Sequence, residues 1–197
     1  MTVFLGVLIG SLFFKDIFQT HSEALILTPM MLLWINFVTD GFPALALSTD
    51  PPKEGIMEET EKYMHSSLIN DDVMYSIAWI GGLMALTGLP VFFTSLSTGL
   101  MTAQTVLFTF IVLIEMVRIQ VIRERYNHSF LSNKWVIGAL SASMLLQMIL
   151  IYVPVVREYF GTVAMGIPGW SKIAASGMFF VTAAYVAVKI QKEMNRD

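Results

Sequence analysis

The stretch LLWINFVTDGFPALAL, residues 32–47, decides how the chain folds. It lies inside an apolar segment running from about Leu25 to Leu47, which is long enough to cross a membrane. Hydrocarbon cannot solvate polar side chains. Yet Asn36, Thr39 and Asp40 sit near the middle of the segment, followed by Gly41 and Pro43. A charged side chain at that depth costs at least about 2.5–3.5 kcal/mol by insertion scales, so something must compensate the aspartate.

The rest of the composition supports a membrane setting. Of 197 residues, 55% are hydrophobic and only 14% charged, and the mean hydropathy is +0.67. Soluble domains carry about 25% charged residues. The net charge of −3 gives no basic footprint for nucleic acid. The absence of cysteine excludes disulfides and thiolate metal sites. Residues 1–14 are apolar but lack a basic leading region and a small-residue cleavage site, so they do not read as a cleavable signal.

Six apolar segments follow one another, at about 1–14, 25–47, 73–95, 102–122, 134–153 and 170–188. A span needs roughly 20 residues at about 1.5 Å each. Five segments reach that length. The fourteen residues of the first cover only about 21 Å, as if the chain began partway along a longer helix. The fold expected is an all-α polytopic membrane helix bundle of six segments, the second unwound near its middle. Residues 1–197 form a single transmembrane domain in this reading.

Positive charge sets the orientation. Lys53, Lys62, Arg123, Arg125, Lys134, Lys189, Lys192 and Arg196 fall on one side, against Lys15, Arg157 and Lys172 on the other. The 49–72 loop, the 123–133 loop and the C-terminus are therefore expected in the cytoplasm. The 49–72 loop, TDPPKEGIMEETEKYMHSSLINDD, is acid-rich; it reads as a solvated connector or as a docking surface for a cytoplasmic domain.

Gly6 with Gly10, and Gly138 with Ser141 and Ala142, offer small faces for close helix approach. Trp135 and Trp170 stand at span starts on opposite sides, as interfacial anchors do. The fourteen methionines read as packing and lipid-facing residues. His21, His65 and His128 fall in separate loops.

The chemistry concentrates in two spans. Asn36, Thr39 and Asp40 are spaced i, i+3, i+4 and share a helical face. Pro43 has no N–H, so in an α-helix the Thr39 carbonyl loses its partner, and Gly41 lets the chain bend. Broken helices at membrane depth are tolerated where they line a cavity. A second intramembrane acid, Glu115, lies about two-thirds along its own span. Two carboxylates, an amide oxygen and a hydroxyl form a hard, oxygen-only set. That set suits Ca²⁺, which takes 6–8 oxygens, better than Mg²⁺, which dehydrates reluctantly. Other readings of the same residues are open. Glu115 could pair with Arg118, three residues on; Asn36 and Thr39 could bond neighbouring helices; Asp40 could carry protons.

At these residues the chain resembles a known family. LLWINFVTDGFPALAL, followed by DPP and GIM, is similar to the sixth membrane helix of P-type ATPases of the sarco/endoplasmic-reticulum calcium-pump type. IVLIEMVRI resembles that family's eighth helix, and NKWVIGALSASMLLQMILIYV its ninth. The six segments would then be helices five to ten, covering essentially the whole chain, with the first as the outer half of helix five. The resemblance implies that Asn36, Thr39, Asp40 and Glu115 fall on calcium ligands. The counterpart of Asp40 bridges two ions, that of Asn36 serves one, and those of Thr39 and Glu115 serve the other. Further ligands would come from helix four and the inner half of helix five, beyond this stretch. The phosphorylated DKTG motif and the nucleotide and actuator domains also lie beyond it, so ATP and Mg²⁺ would belong only to the complete pump. The partners implied are the lipid bilayer and those remaining helices and cytoplasmic domains. Arg118 departs from the family pattern beside Glu115. The rival expectations are a stand-alone six-span subunit or cation or proton conductor without ATPase activity, and a purely structural bundle.

Overall fold

A computed structural model of the chain describes residues 2–13, 25–49, 71–125 and 132–194. Among the described residues the regular structure is helical throughout: α1 Thr2–Phe13, α2 Pro29–Leu47, α3 Asp71–Ser95, α4 Leu100–Arg125, α5 Lys134–Tyr152, α6 Pro154–Phe160 and α7 Ile167–Met194. Four stretches are long and apolar enough to cross a membrane: Pro29–Leu47, Ile77–Thr98, Leu100–Val121 and Lys134–Tyr152. The first apolar segment forms the twelve-residue α1, only about 18 Å long. The sixth lies within the 28-residue α7. His21, His65 and His128, and most of the 49–72 loop, lie outside the described residues.

The elements start and stop where local chemistry dictates. Thr28 caps α2: its Oγ1 accepts from Met31 N at 3.3 Å, with Pro29 in the first turn, where no N–H is missed. A short 3₁₀ turn, Leu96–Thr98, ends α3, and Gly99 at φ 118° reverses the chain into α4. Asn133 caps α5, its Oδ1 accepting from Trp135 N at 2.8 Å and Val136 N at 3.3 Å. Pro154 opens α6 and a left-handed Gly161 closes it.

α4 is the axis of the bundle. Val106, Leu107, Phe108, Phe110 and Val112 are all at most 1% exposed. α3 and α7 pack against α4 and against each other, and α1 packs on α3. A side chain at Gly6 would collide with Ile26 and come within 2.8 Å of Leu89 Cδ2, so the glycine permits the close approach expected of it. The second small face turns out differently. Gly138, Ser141 and Ala142 are exposed, and open space surrounds Gly138. α5 instead turns Val136, Ser143, Gln147 and Leu150 inward. The polar pair among them needs hydrogen-bond partners that hydrocarbon lacks, and this outweighs the advantage of packing small residues.

Polar ties sort the helix ends into two groups. At one end Asn133 Nδ2 donates to Thr49 Oγ1 at 3.0 Å and the Ala46 carbonyl at 3.4 Å. There too the Arg123 guanidinium, only 2% exposed, donates to Ser132 Oγ at 3.0 Å and Gln120 Oε1 at 3.1 Å. At the other end Gln104 Nε2 donates to the Leu25 carbonyl at 2.6 Å, and Lys172 Nζ to the Thr94 carbonyl at 2.9 Å and Ser95 Oγ at 3.1 Å. Trp170 Nε1 donates to Tyr152 Oη at 2.8 Å, and that hydroxyl to the Met165 carbonyl at 3.0 Å. Arg123 falls in the first group and Lys172 in the second. Trp135 is 72% exposed at the start of α5.

Candidate cation site

The site is built on α2, whose winding changes midway. From Ile35 to Gly41 the helix is π-wound, so that each N–H reaches back five residues instead of four. The expected opening therefore takes the form of a wider ring, not an extended gap. Gly41 at φ/ψ −65°/−53° and Phe42 at −64°/−47° stay helical, and α geometry resumes through Leu47. All three polar positions of this span, 36, 39 and 40, lie in the π segment. In such a ring residues four and five apart line up, so positions 36 and 40 remain stacked.

Pro43 determines which rung is lost. An α ring would leave the Thr39 carbonyl without its partner, as expected from the sequence. In the π ring the rung that Pro43 cannot make belongs to Val38, five residues earlier. The Val38 carbonyl accepts from Ser143 Oγ of α5 at 3.2 Å, with Ser143 fully buried and Val38 3% exposed.

The π segment packs on α4 and α5. α4 carries Glu115, so the two acid-bearing spans are neighbours, and Glu115 is half-buried. Asn36 is exposed. The side chains of Thr39 and Asp40 lie outside the described residues. One turn beyond Glu115, Arg118 Nε is buried without a hydrogen-bond partner, as is Gln120 Nε2. Among the described residues no three His, Cys, Asp or Glu side chains cluster. The expected donor set would not form such a cluster, since it holds two acids and draws its other oxygens from amide and hydroxyl groups.

Beside the π segment runs a buried polar chain that the sequence reading missed. Trp34 Nε1 donates to Gln147 Oε1 at 3.1 Å, and Gln147 Nε2 to Thr109 Oγ1 at 3.3 Å. Thr109 Oγ1 donates back to the Thr105 carbonyl at 2.8 Å, and Thr105 Oγ1 accepts from Val163 N at 3.1 Å. Gln147, Thr109 and Thr105 are fully buried. The Trp34 ring also meets Phe160 edge-on, with centroids 5.1 Å apart. A signal for this existed: Ser143 and Gln147 are polar residues four apart in an apolar run, hence on one face.

These features define a polytopic helical membrane protein with acid and amide side chains set inside its spans. The family described as "Cation transporting ATPase, C-terminus" matches residues 24–190, and the chain belongs to it. It is 28% identical over 150 residues to the "Calcium-transporting ATPase" of Bacillus subtilis, a match covering 73% of this chain and 17% of that protein. It is 27% identical over 191 residues to "Calcium-transporting ATPase 1" of Bacillus cereus, covering 86% and 20%. With "Calcium-transporting ATPase 1" of Saccharomyces cerevisiae it shares 28% identity over 148 residues, covering 72% and 16%. The chain thus spans at most a fifth of the length of these relatives.

Proposed function

We propose that the chain supplies the transmembrane transport domain of an ATP-driven calcium pump. Asn36, Thr39, Asp40 and Glu115 contribute oxygen ligands to Ca²⁺, which is cargo and not a resident cofactor. The observation that carries this reading is the π-wound segment. Positions 36, 39 and 40 all fall within it, and it packs against α4, the helix that carries Glu115. The calcium transport named for the relatives gives the ion. The donor chemistry agrees: two carboxylates with neutral oxygens suit a large, hard divalent ion.

Two nearby carboxylates cannot both stay charged in a closed site without a cation. Release of Ca²⁺ is therefore coupled to uptake of protons. ATP and Mg²⁺ act in the domains that complete the pump, and their phosphorylation cycle tilts the spans to alternate access. The ends near Thr49, Arg123 and Asn133 face the cytoplasm and meet those domains.

The test is ⁴⁵Ca uptake into vesicles carrying the full-length protein. Asp40→Asn should abolish uptake and Glu115→Gln should raise the Ca²⁺ needed for half-maximal uptake at least about ten-fold, the loss of one charged ligand. Wild-type uptake by Asp40→Asn would sink the reading.

A further inference from the structure

Ser143 departs from the buried mid-helix residues Thr87, Thr105 and Thr109. Thr87 donates to the Leu83 carbonyl at 2.8 Å, Thr105 to Met101 at 2.7 Å, and Thr109 to Thr105 at 2.8 Å, each four residues back on its own helix. That is what a mid-helix hydroxyl in apolar surroundings ordinarily does. Ser143 reaches across to another helix instead, and to a main-chain oxygen, Val38 at 3.2 Å. The oxygen it selects is the one whose next π rung falls on Pro43.

We propose that Ser143 is the positioning residue that holds α2 in its π register, and so sets the spacing of the oxygen donors at positions 36, 39 and 40. The α and π windings of this segment compete, and Pro43 costs each of them one rung. In the α winding the unpaired carbonyl is that of Thr39; in the π winding it is that of Val38. A buried carbonyl without a donor is costly, so whichever winding has its leftover carbonyl satisfied is favoured. Ser143 satisfies Val38. Its bond is to main chain, the Val38 carbonyl, and it acts through that backbone. That the register matters for calcium rests on the cation-site reading above; that Ser143 holds the register does not.

The double-mutant cycle follows from this. Pro43→Ala restores an N–H at position 43, which gives the Val38 carbonyl a partner on its own helix. In the full-length protein, Ser143→Ala should raise the half-saturating Ca²⁺ for ⁴⁵Ca uptake about ten-fold, leaving the maximal rate near wild type, because an unsatisfied buried carbonyl shifts the register. Ser143→Thr keeps a hydroxyl and should stay closer to wild type. In a Pro43→Ala background the effect of Ser143→Ala should shrink to less than about two-fold. Wild-type half-saturation in Ser143→Ala, or an equal effect in both backgrounds, would overturn the proposal. If Ser143→Ala fails to accumulate in membranes, recovery on adding Pro43→Ala supports it and continued failure counts against it. Amide hydrogen exchange over residues 35–44 without calcium reads the register directly: faster in Ser143→Ala, restored by Pro43→Ala. Should Asp40→Asn transport normally, the cation site falls while this exchange result still judges the register. Should Asp40→Asn be inactive with exchange and half-saturation unchanged in Ser143→Ala, only the register proposal falls.

Discussion

The indole nitrogen of Trp34 donates to Gln147 Oε1 at 3.1 Å across 113 residues of sequence, one residue before α2 changes winding. Gln147 is fully buried and passes the connection to Thr109 on α4. Three spans therefore meet at one amide. Gln147→Leu fills the same space but strands the indole N–H, whereas Thr109 keeps its own bond to the Thr105 carbonyl. The expected loss is about 1–3 kcal/mol, the cost of one buried unsatisfied donor. Thermal unfolding in detergent, followed by tryptophan emission, measures it; no loss would mean that the indole finds another acceptor.

Asn133 performs two tasks that substitutions can separate. Its Oδ1 caps α5, and its Nδ2 binds Thr49 and the Ala46 carbonyl at the end of α2. Asn133→Asp keeps the cap and loses the tether; Asn133→Ala loses both. The alanine variant should be the less stable by about 1 kcal/mol, the usual worth of a cap. Equal stabilities would show that the cap contributes little.

Gly6 and Gly138 predict opposite outcomes for the same substitution. Gly6→Ala meets the terminal methyls of Ile26 and Leu89, which must repack, so the protein should lose stability. Gly138→Ala enters open space and should gain up to about 1 kcal/mol from helix propensity. Paired melting curves in one detergent decide both.

Ca²⁺ should slow amide exchange over residues 35–44 of the full-length protein, and Mg²⁺ at the same concentration should not, since Mg²⁺ keeps its water and demands tighter octahedral geometry. Asp40→Asn should erase the difference. Equal protection by both ions would point to general charge screening.

The all-helical architecture and four of the spans were legible in the sequence because hydrophobic length is a local property. The departure from α geometry was legible too: Asn36, Asp40, Gly41 and Pro43 are out of place in an ordinary span. Its form was not. Whether Pro43 leaves Thr39 or Val38 unpaired depends on a donor from α5, some hundred residues away, and local sequence carries no trace of that choice. The same holds for α5 itself. Small residues at 138, 141 and 142 and polar ones at 143 and 147 compete for the inward face, and the outcome is settled by which groups find partners on α2 and α4. The Arg118 beside Glu115, singled out as a departure from the family, has a buried and unpaired Nε.

α2 is fastened at both extremities: the chain entering it hangs on Gln104 through the Leu25 carbonyl, and the chain leaving it on Asn133 through Thr49. A rod clamped at its two tips cannot slide along its axis as a piston does. Any shift in its pitch has to be taken up as torsion inside the clamps, where residues 35–41 already depart from α winding. Mechanical work delivered from either side of the membrane would then arrive at Asp40 as twist.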